Sequence, residues 1–198
     1  VHRRRELKNF AAFIKHADIK VSPNNIVLWT GDKRDEQGNK VFCARATAEN
    51  FAQRHGGKTL RMTPEGAMLD GYSGHQNSAA YIQKRFNPFV QAESLREKMF
   101  ENEKISKSPP PSQGDSVLDV FWDTLSAKIA HKAEDQVILI HAAPNDDPFF
   151  ESSTYKNTVW KRAEEPNIKE NVEINKLYEE DLSEYLKEPS SEYEQYNK

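Results

Sequence analysis

The chain has 198 residues with a formal charge of -3, 36% hydrophobic and 30% charged residues, and a single cysteine, Cys43. That length fits one domain with its own core, and its aromatic and aliphatic content excludes a chain disordered throughout. One cysteine excludes an intrachain disulfide, and a basic start (His2-Arg3-Arg4-Arg5) balanced by carboxylates from Glu170 onward argues against a nucleic-acid-binding face.

Leu7, Phe10, Phe13 and Ile14 recur at helical spacing, which predicts an opening amphipathic helix ending before Ser22-Pro23-Asn24-Asn25. Ile26 to Thr30 form an apolar run of strand length stopped by Gly31, so Trp29 belongs at a strand's carboxyl end, where open α/β sheets place ligand-binding residues. A charged loop is expected from Asp32 to Lys40 and a helix from Val41 to His55, stopped by Gly56-Gly57. Thr63-Pro64-Glu65 reads as N-cap, first-turn proline and dipole-compatible carboxylate of a short helix. Ser78 caps another, and Asn87-Pro88 is expected to open one carrying Leu95, Met99 and Phe100.

Pro109-Pro110-Pro111 marks 105–114 as a linker between a helix-rich half (1–104) and an α/β half (115–188) of a single domain, with 189–198 as an acidic flexible tail. In the second half, Asp115 or Ser116 caps a helix whose apolar side includes Leu118, Phe121, Trp122, Leu125 and Ile129. Val137 to Ile140 predict a buried strand, and Ile174, Leu177, Leu182, Tyr185 and Leu186 permit a last helix. The expected fold class is therefore α/β, a helical N-terminal part packed on a small, mainly parallel sheet with flanking helices. No apolar run has the length to cross a bilayer, and a start without initiator Met or signal core has the look of an excised domain.

Five segments stand in a telling order: Leu28-Trp29-Thr30, Thr59-Leu60-Arg61-Met62-Thr63-Pro64-Glu65-Gly66, Val120-Phe121-Trp122, Ser153-Thr154-Tyr155 and Glu164-Glu165-Pro166-Asn167-Ile168. Together they resemble the ADP-ribosyl cyclases and NAD glycohydrolases. That family carries Leu-Trp-Ser, Thr-Leu-Glu-x-Thr-x-x-Gly, Val-Phe-Trp, Ser-Thr-Phe and Glu-x-x-Asn-Leu segments in this sequence. The resemblance implies cleavage of the bond between ribose and the pyridinium nitrogen of NAD or NADP. Such a leaving group needs no protonation, so the demand is to stabilise an oxocarbenium-like sugar.

By this resemblance Glu164 is the stabilising or nucleophilic carboxylate, and Trp29 and Trp122 are the faces on which the cationic nicotinamide stacks. Thr30, Ser153, Thr154 and Tyr155 match positions that hold the diphosphate. Taken alone, Glu164 is a solvated charge beside Lys161, Arg162 and Glu165, and either tryptophan is ordinary core. Trp160 has no counterpart in the family pattern and reads as a packing residue or a pocket wall. Arg61 stands where the family has a second acidic residue that biases cyclisation against hydrolysis, which favours hydrolysis to ADP-ribose and nicotinamide over cyclic ADP-ribose; Glu65 and Asp70 are the substitutes in reach.

The lack of disulfides sets the chain apart from animal ectoenzymes and suggests a bacterial or fungal relative. The implied role is an NAD-depleting toxin or effector domain acting in a target-cell cytoplasm, with an immunity or inhibitor protein as partner. NAD enters as substrate, with no cofactor, metal, nucleic acid or membrane expected. The rival reading is a catalytically inactive binding module of the same fold. His55, His75, His131 and His141 show no ligand spacing and read as helix-surface or loop residues. Cys43 reads as a small buried residue and Gly56-Gly57 as a helix stop, not a phosphate loop.

Overall fold

A computed structural model describes residues 2–37, 39–70, 78–87, 90–101 and 115–185. The expected linker, acidic tail, His75 and Leu186 lie outside the described residues. Helix α1 (His2–Lys15) buries Ile14 and lays Leu7, Phe10 and Ala11 against the main core, with the Phe10 ring 5.3 Å from that of Phe121. Strand β1 (Val27–Thr30) follows the Ser22-Pro23 turn, as its apolar run predicts.

The stretch expected as a charged loop is instead a two-stranded antiparallel hairpin, β2 (Asp32–Arg34) and β3 (Lys40–Cys43). Asp35 closes it, Oδ1 accepting from the backbone N–H of Gln37 (3.0 Å) and Asn39 (2.9 Å), a turn chemistry that charge counting overlooks. Helix α2 (Ala44–His55) accordingly begins three residues later than Val41. It ends as foreseen: Gly56 takes φ +70° and Gly57 N–H returns to Ala52 O at 2.8 Å, a Schellman closure.

Thr63 Oγ1 accepts from Gly66 N–H at the start of α3 (Pro64–Asp70). Gly66 is obligatory there, because a Cβ would sit 2.0 Å from the Leu60 carbonyl oxygen. Helices α4 (Ser78–Phe86) and α5 (Ala92–Phe100) follow. Asn87 does not open α5; its Oδ1 accepts from Val117 N–H (3.0 Å) at the head of the next helix, α6 (Val117–Lys132). Ser116 and Asp119 form the capping box of α6. This helix is buried on most of its circumference, with α1, α3, α4 and α5 packed around it.

Strand β4 (Gln136–His141) lies between β1 and β5 (Glu173–Leu177) in a three-stranded, wholly parallel sheet, in accord with the α/β expectation. β5 overturns the expected last helix. Ile174 and Leu177 are three apart, a spacing that puts two residues on one helix face but on opposite faces of a strand. Both sheet faces are covered: Leu28, Val137, Leu139 and Ile174 enter the main core, while Val27, Ile138, Ile140 and Leu177 enter a second cluster with Ala48 and Ala52 of α2. Each fully buried aliphatic contributes about 1.5–3 kcal/mol.

Candidate active site

The parallel strands bring Thr30, His141 and Leu177 to one edge of the sheet, with Thr30 opposite His141 in register. Beyond β4 the chain makes a 3-10 turn (Pro148–Glu151) and a single helical turn, α7 (Ser153–Lys156), capped by Ser152 Oγ accepting from Tyr155 N–H. A π-helical turn, Trp160–Glu164, comes next, closed by Glu165 N–H on Trp160 O. Pro166 stands in the following turn, where it has no N–H for the Arg162 carbonyl, so ordinary helical winding cannot continue. This π-helical turn packs against both α6 and β1. The elements that carry Glu164, Trp122 and Trp29 are thereby neighbours.

Glu164 is not the solvated charge that its polar surroundings in sequence suggest. It is only 6% exposed, and burial first, then the negative charge of Asp123, push its carboxyl up to about 8. No hydrogen bond holds its carboxyl among the described residues. Trp122 is half-buried against the main core; Trp29 is half-buried against the second cluster and against Ala44 and Ala142. The two indoles thus rest on clusters belonging to different faces of the sheet. Trp160 is a core residue, its Nε1 without a hydrogen bond among the described residues.

Thr30 is buried with its Oγ1 unpaired among the described residues. Ser153 and Thr154 are exposed on the first turn of α7, whereas Tyr155 is buried among Phe149, Phe150 and His141. Burial pushes the Tyr155 hydroxyl up to about 12, with a partial opposing pull from the Trp160 indole that falls short of hydrogen-bond geometry. Arg61, on a 3-10 turn (Leu60–Met62) against α6, is buried and donates from Nη1 to Glu49 Oε1 of α2 at 3.1 Å. Glu49 is a partner twelve residues away that no local pattern announces.

Two further residues escape sequence reading. His141 is no surface or loop histidine: it is 2% exposed at the end of the central strand, its ring 4.6 Å from Phe150 and 4.9 Å from Tyr178. Neither ring nitrogen has a partner among the described residues, and burial, with a smaller push from Lys176, holds the imidazole down at about 4. Asp123, next to Trp122, is fully buried and accepts from Arg96 Nη1 (2.5 Å), Arg162 Nη1 (2.9 Å) and Arg162 Nη2 (3.0 Å). Only its position on the inner side of α6 hinted at burial.

No family model and no curated protein matches the sequence. Among solved structures, the chain is similar to CD38, at 18% identity and TM-score 0.49, over 86% of this chain and 57% of that one. It is similar to an ADP-ribosyl cyclase complexed with N1-cIDPR, at 17% identity and TM-score 0.49, over 87% of this chain and 56% of that one. A third similar structure is Aplysia cyclase complexed with substrate NGD and product cGDPR, at 18% identity and TM-score 0.48, over 87% of this chain and 55% of that one. The chain thus spans less than two thirds of each of these proteins.

Proposed function

We propose that the chain is an NAD glycohydrolase that cleaves the nicotinamide–ribose bond of NAD or NADP, releasing nicotinamide and ADP-ribose or its phosphorylated form, with cyclic ADP-ribose at most a minor product. The observation that carries this reading is the buried, unpaired Glu164 carboxyl on a turn that touches both tryptophan-bearing elements. Before NAD binds, the carboxyl is largely protonated at neutral pH. A cationic nicotinamide ring and the oxocarbenium-like sugar formed as the C–N bond breaks both favour the ionised form, so Glu164 gives its proton to solvent as NAD binds and the charge is created where the transition state needs it. The bond electrons leave with nicotinamide, which departs neutral. Water then adds to the sugar carbon, and its proton passes to Glu164. Trp29 and Trp122 attract the ring while it is positive and release it once neutral. Thr30, Ser153, Thr154 and Tyr155 serve the diphosphate, and no metal or cofactor takes part.

Such an activity suits an NAD-depleting effector domain acting in a target-cell cytoplasm, held in check in its producer by an immunity protein. A second reading, an inactive binding module, draws on one observation: Arg61 is buried in an ion pair with Glu49, at the place where the family it resembles has an acid. Purified protein mixed with NAD should release nicotinamide, and Glu164→Gln should reduce release at least about a hundredfold with the fold intact. No release by the unaltered protein at high concentration would leave the binding module standing.

A further inference from the structure

We infer that Asp123 is a positioning residue: with Arg162 it latches the turn carrying Glu164 to the helix carrying Trp122, and Arg96 braces the latch from α5. This inference rests on the proposed glycohydrolase reading for its catalytic consequence, though the latch itself is geometric. Arg162 sits two residues before Glu164 in the π-helical turn, and its planar fork meets both Asp123 oxygens, the two-point contact that fixes orientation as well as distance. Its Nε donates to Asn157 O at 2.9 Å, which ties the same guanidinium to the end of α7. Arg96 completes the brace, Nη1 on Asp123 and Nη2 on both oxygens of Asp115 (2.7 and 2.8 Å) just ahead of the Ser116 cap. One side chain of α6 therefore sets the relation between three segments: the turn with Glu164, the end of α7 with Tyr155, and its own neighbour Trp122.

The charges explain why a carboxylate stands here. Asp123 is the acidic group that acts on Glu164 across the α6 contact; Arg162, on Glu164's own turn, is directed at Asp123, and Lys161 and Glu165 pair with each other at 2.6 Å. The negative charge of Asp123 opposes ionisation of Glu164, on top of the larger effect of burial. The two guanidiniums balance Asp123 and Asp115 together, leaving a fixed ion cluster against which the charge of Glu164 can be switched on. A stability role alone would not require this arrangement, since well-packed apolar residues often replace buried ion pairs without loss.

The test compares unaltered protein, Asp123→Asn and Arg162→Lys in NAD cleavage over pH, alongside titration of the Glu164 carboxyl by infrared or carbon NMR in the absence of NAD. Asp123→Asn removes the negative charge but keeps the shape. It should lower kcat at least tenfold with KM changed less than about threefold, and shift Glu164 titration and the acid limb of the rate profile at least one unit toward lower pH. Arg162→Lys keeps the charge but loses the fork: kcat should fall similarly, and the titration should not move toward acid. If Asp123→Asn proves unfolded, Arg162→Lys alone decides, and unchanged kcat there overturns the latch. Equal kcat and an unmoved Glu164 titration in a folded Asp123→Asn protein overturn it as well. Should the unaltered protein release no nicotinamide, the glycohydrolase reading fails separately, and the Glu164 titration in Asp123→Asn still tells whether the cluster governs that carboxyl.

Discussion

Between α5, α6 and the π-helical turn, the buried charges of Asp115, Arg96, Asp123 and Arg162 neutralise one another, with most of their polar atoms bonded. At the carboxyl edge of the sheet, Thr30 Oγ1 and both nitrogens of His141 are buried without a partner among the described residues, as is Trp160 Nε1 on the π-helical turn, and no hydrogen bond there holds the Glu164 carboxyl. An unmade buried hydrogen bond costs about 1–3 kcal/mol, so two such regions in one small interior are doing different things. The paired cluster is scaffold whose energy is already realised in the folded chain. The unpaired edge withholds its bonding capacity, and a bound polar ligand is what would recover it.

Three measurements would sharpen this contrast or break it. The largest effect is expected from Glu164→Gln on stability. The folded carboxyl at about 8 lies above the ordinary 4.5, so the unaltered protein holds a proton that it must lose as pH rises; its stability is full below pH 4.5 and declines through pH 8. The glutamine variant escapes that decline and should melt several degrees higher than the unaltered protein at pH 9, yet no higher at pH 4.5, by scanning calorimetry. Identical curves at both pH values would mean that Glu164 is solvated and the edge is not withholding anything.

His141 works in the opposite direction. Its folded value near 4 lies below 6.5, so its contribution is present above pH 6.5 and lost as pH falls through 4. Denaturant unfolding should record a loss of roughly 1–3 kcal/mol over that window, and His141→Phe should flatten it. A variant with the same acid slope would place the sensitivity elsewhere. The smallest effect belongs to the paired side: Ser116→Ala removes the cap of α6 beside Asp115 and should cost about 1 kcal/mol, evenly from pH 6 to 9. A cost that grows with pH would show that the cap and the ion cluster are coupled to the Glu164 proton.

How far these regions could be read from sequence follows from the range over which each is determined. β1 and β4 are continuous apolar runs, and the caps at Thr63 and Ser116 and the stop at Gly56-Gly57 are local chemistry, so all were legible. β5 was not, because spacing by three is ambiguous until a neighbouring strand supplies hydrogen bonds and both faces are known to be covered. The hairpin at 32–43 hid behind its charges. At the site, residue types and their order suggested Glu164, Trp29 and Trp122, but nothing in the neighbourhood of Glu164 hinted that it would be buried. Asp123 with Arg96 and Arg162, Arg61 with Glu49, and His141 with Tyr178 are meetings of residues between 12 and 39 positions apart. Such meetings are products of the fold, not of a motif.

The widened turn from Trp160 to Glu164 carries a last implication about length. Its closing bond spans five residues instead of four, so it takes up one residue more than regular winding would. Deleting Ala163, the one residue between Arg162 and Glu164, would turn Glu164 by about a hundred degrees around the axis relative to Arg162. Arg162 and Glu164 would then no longer face their present surroundings together. The segment should accordingly tolerate changes of letter far better than any change in the number of letters.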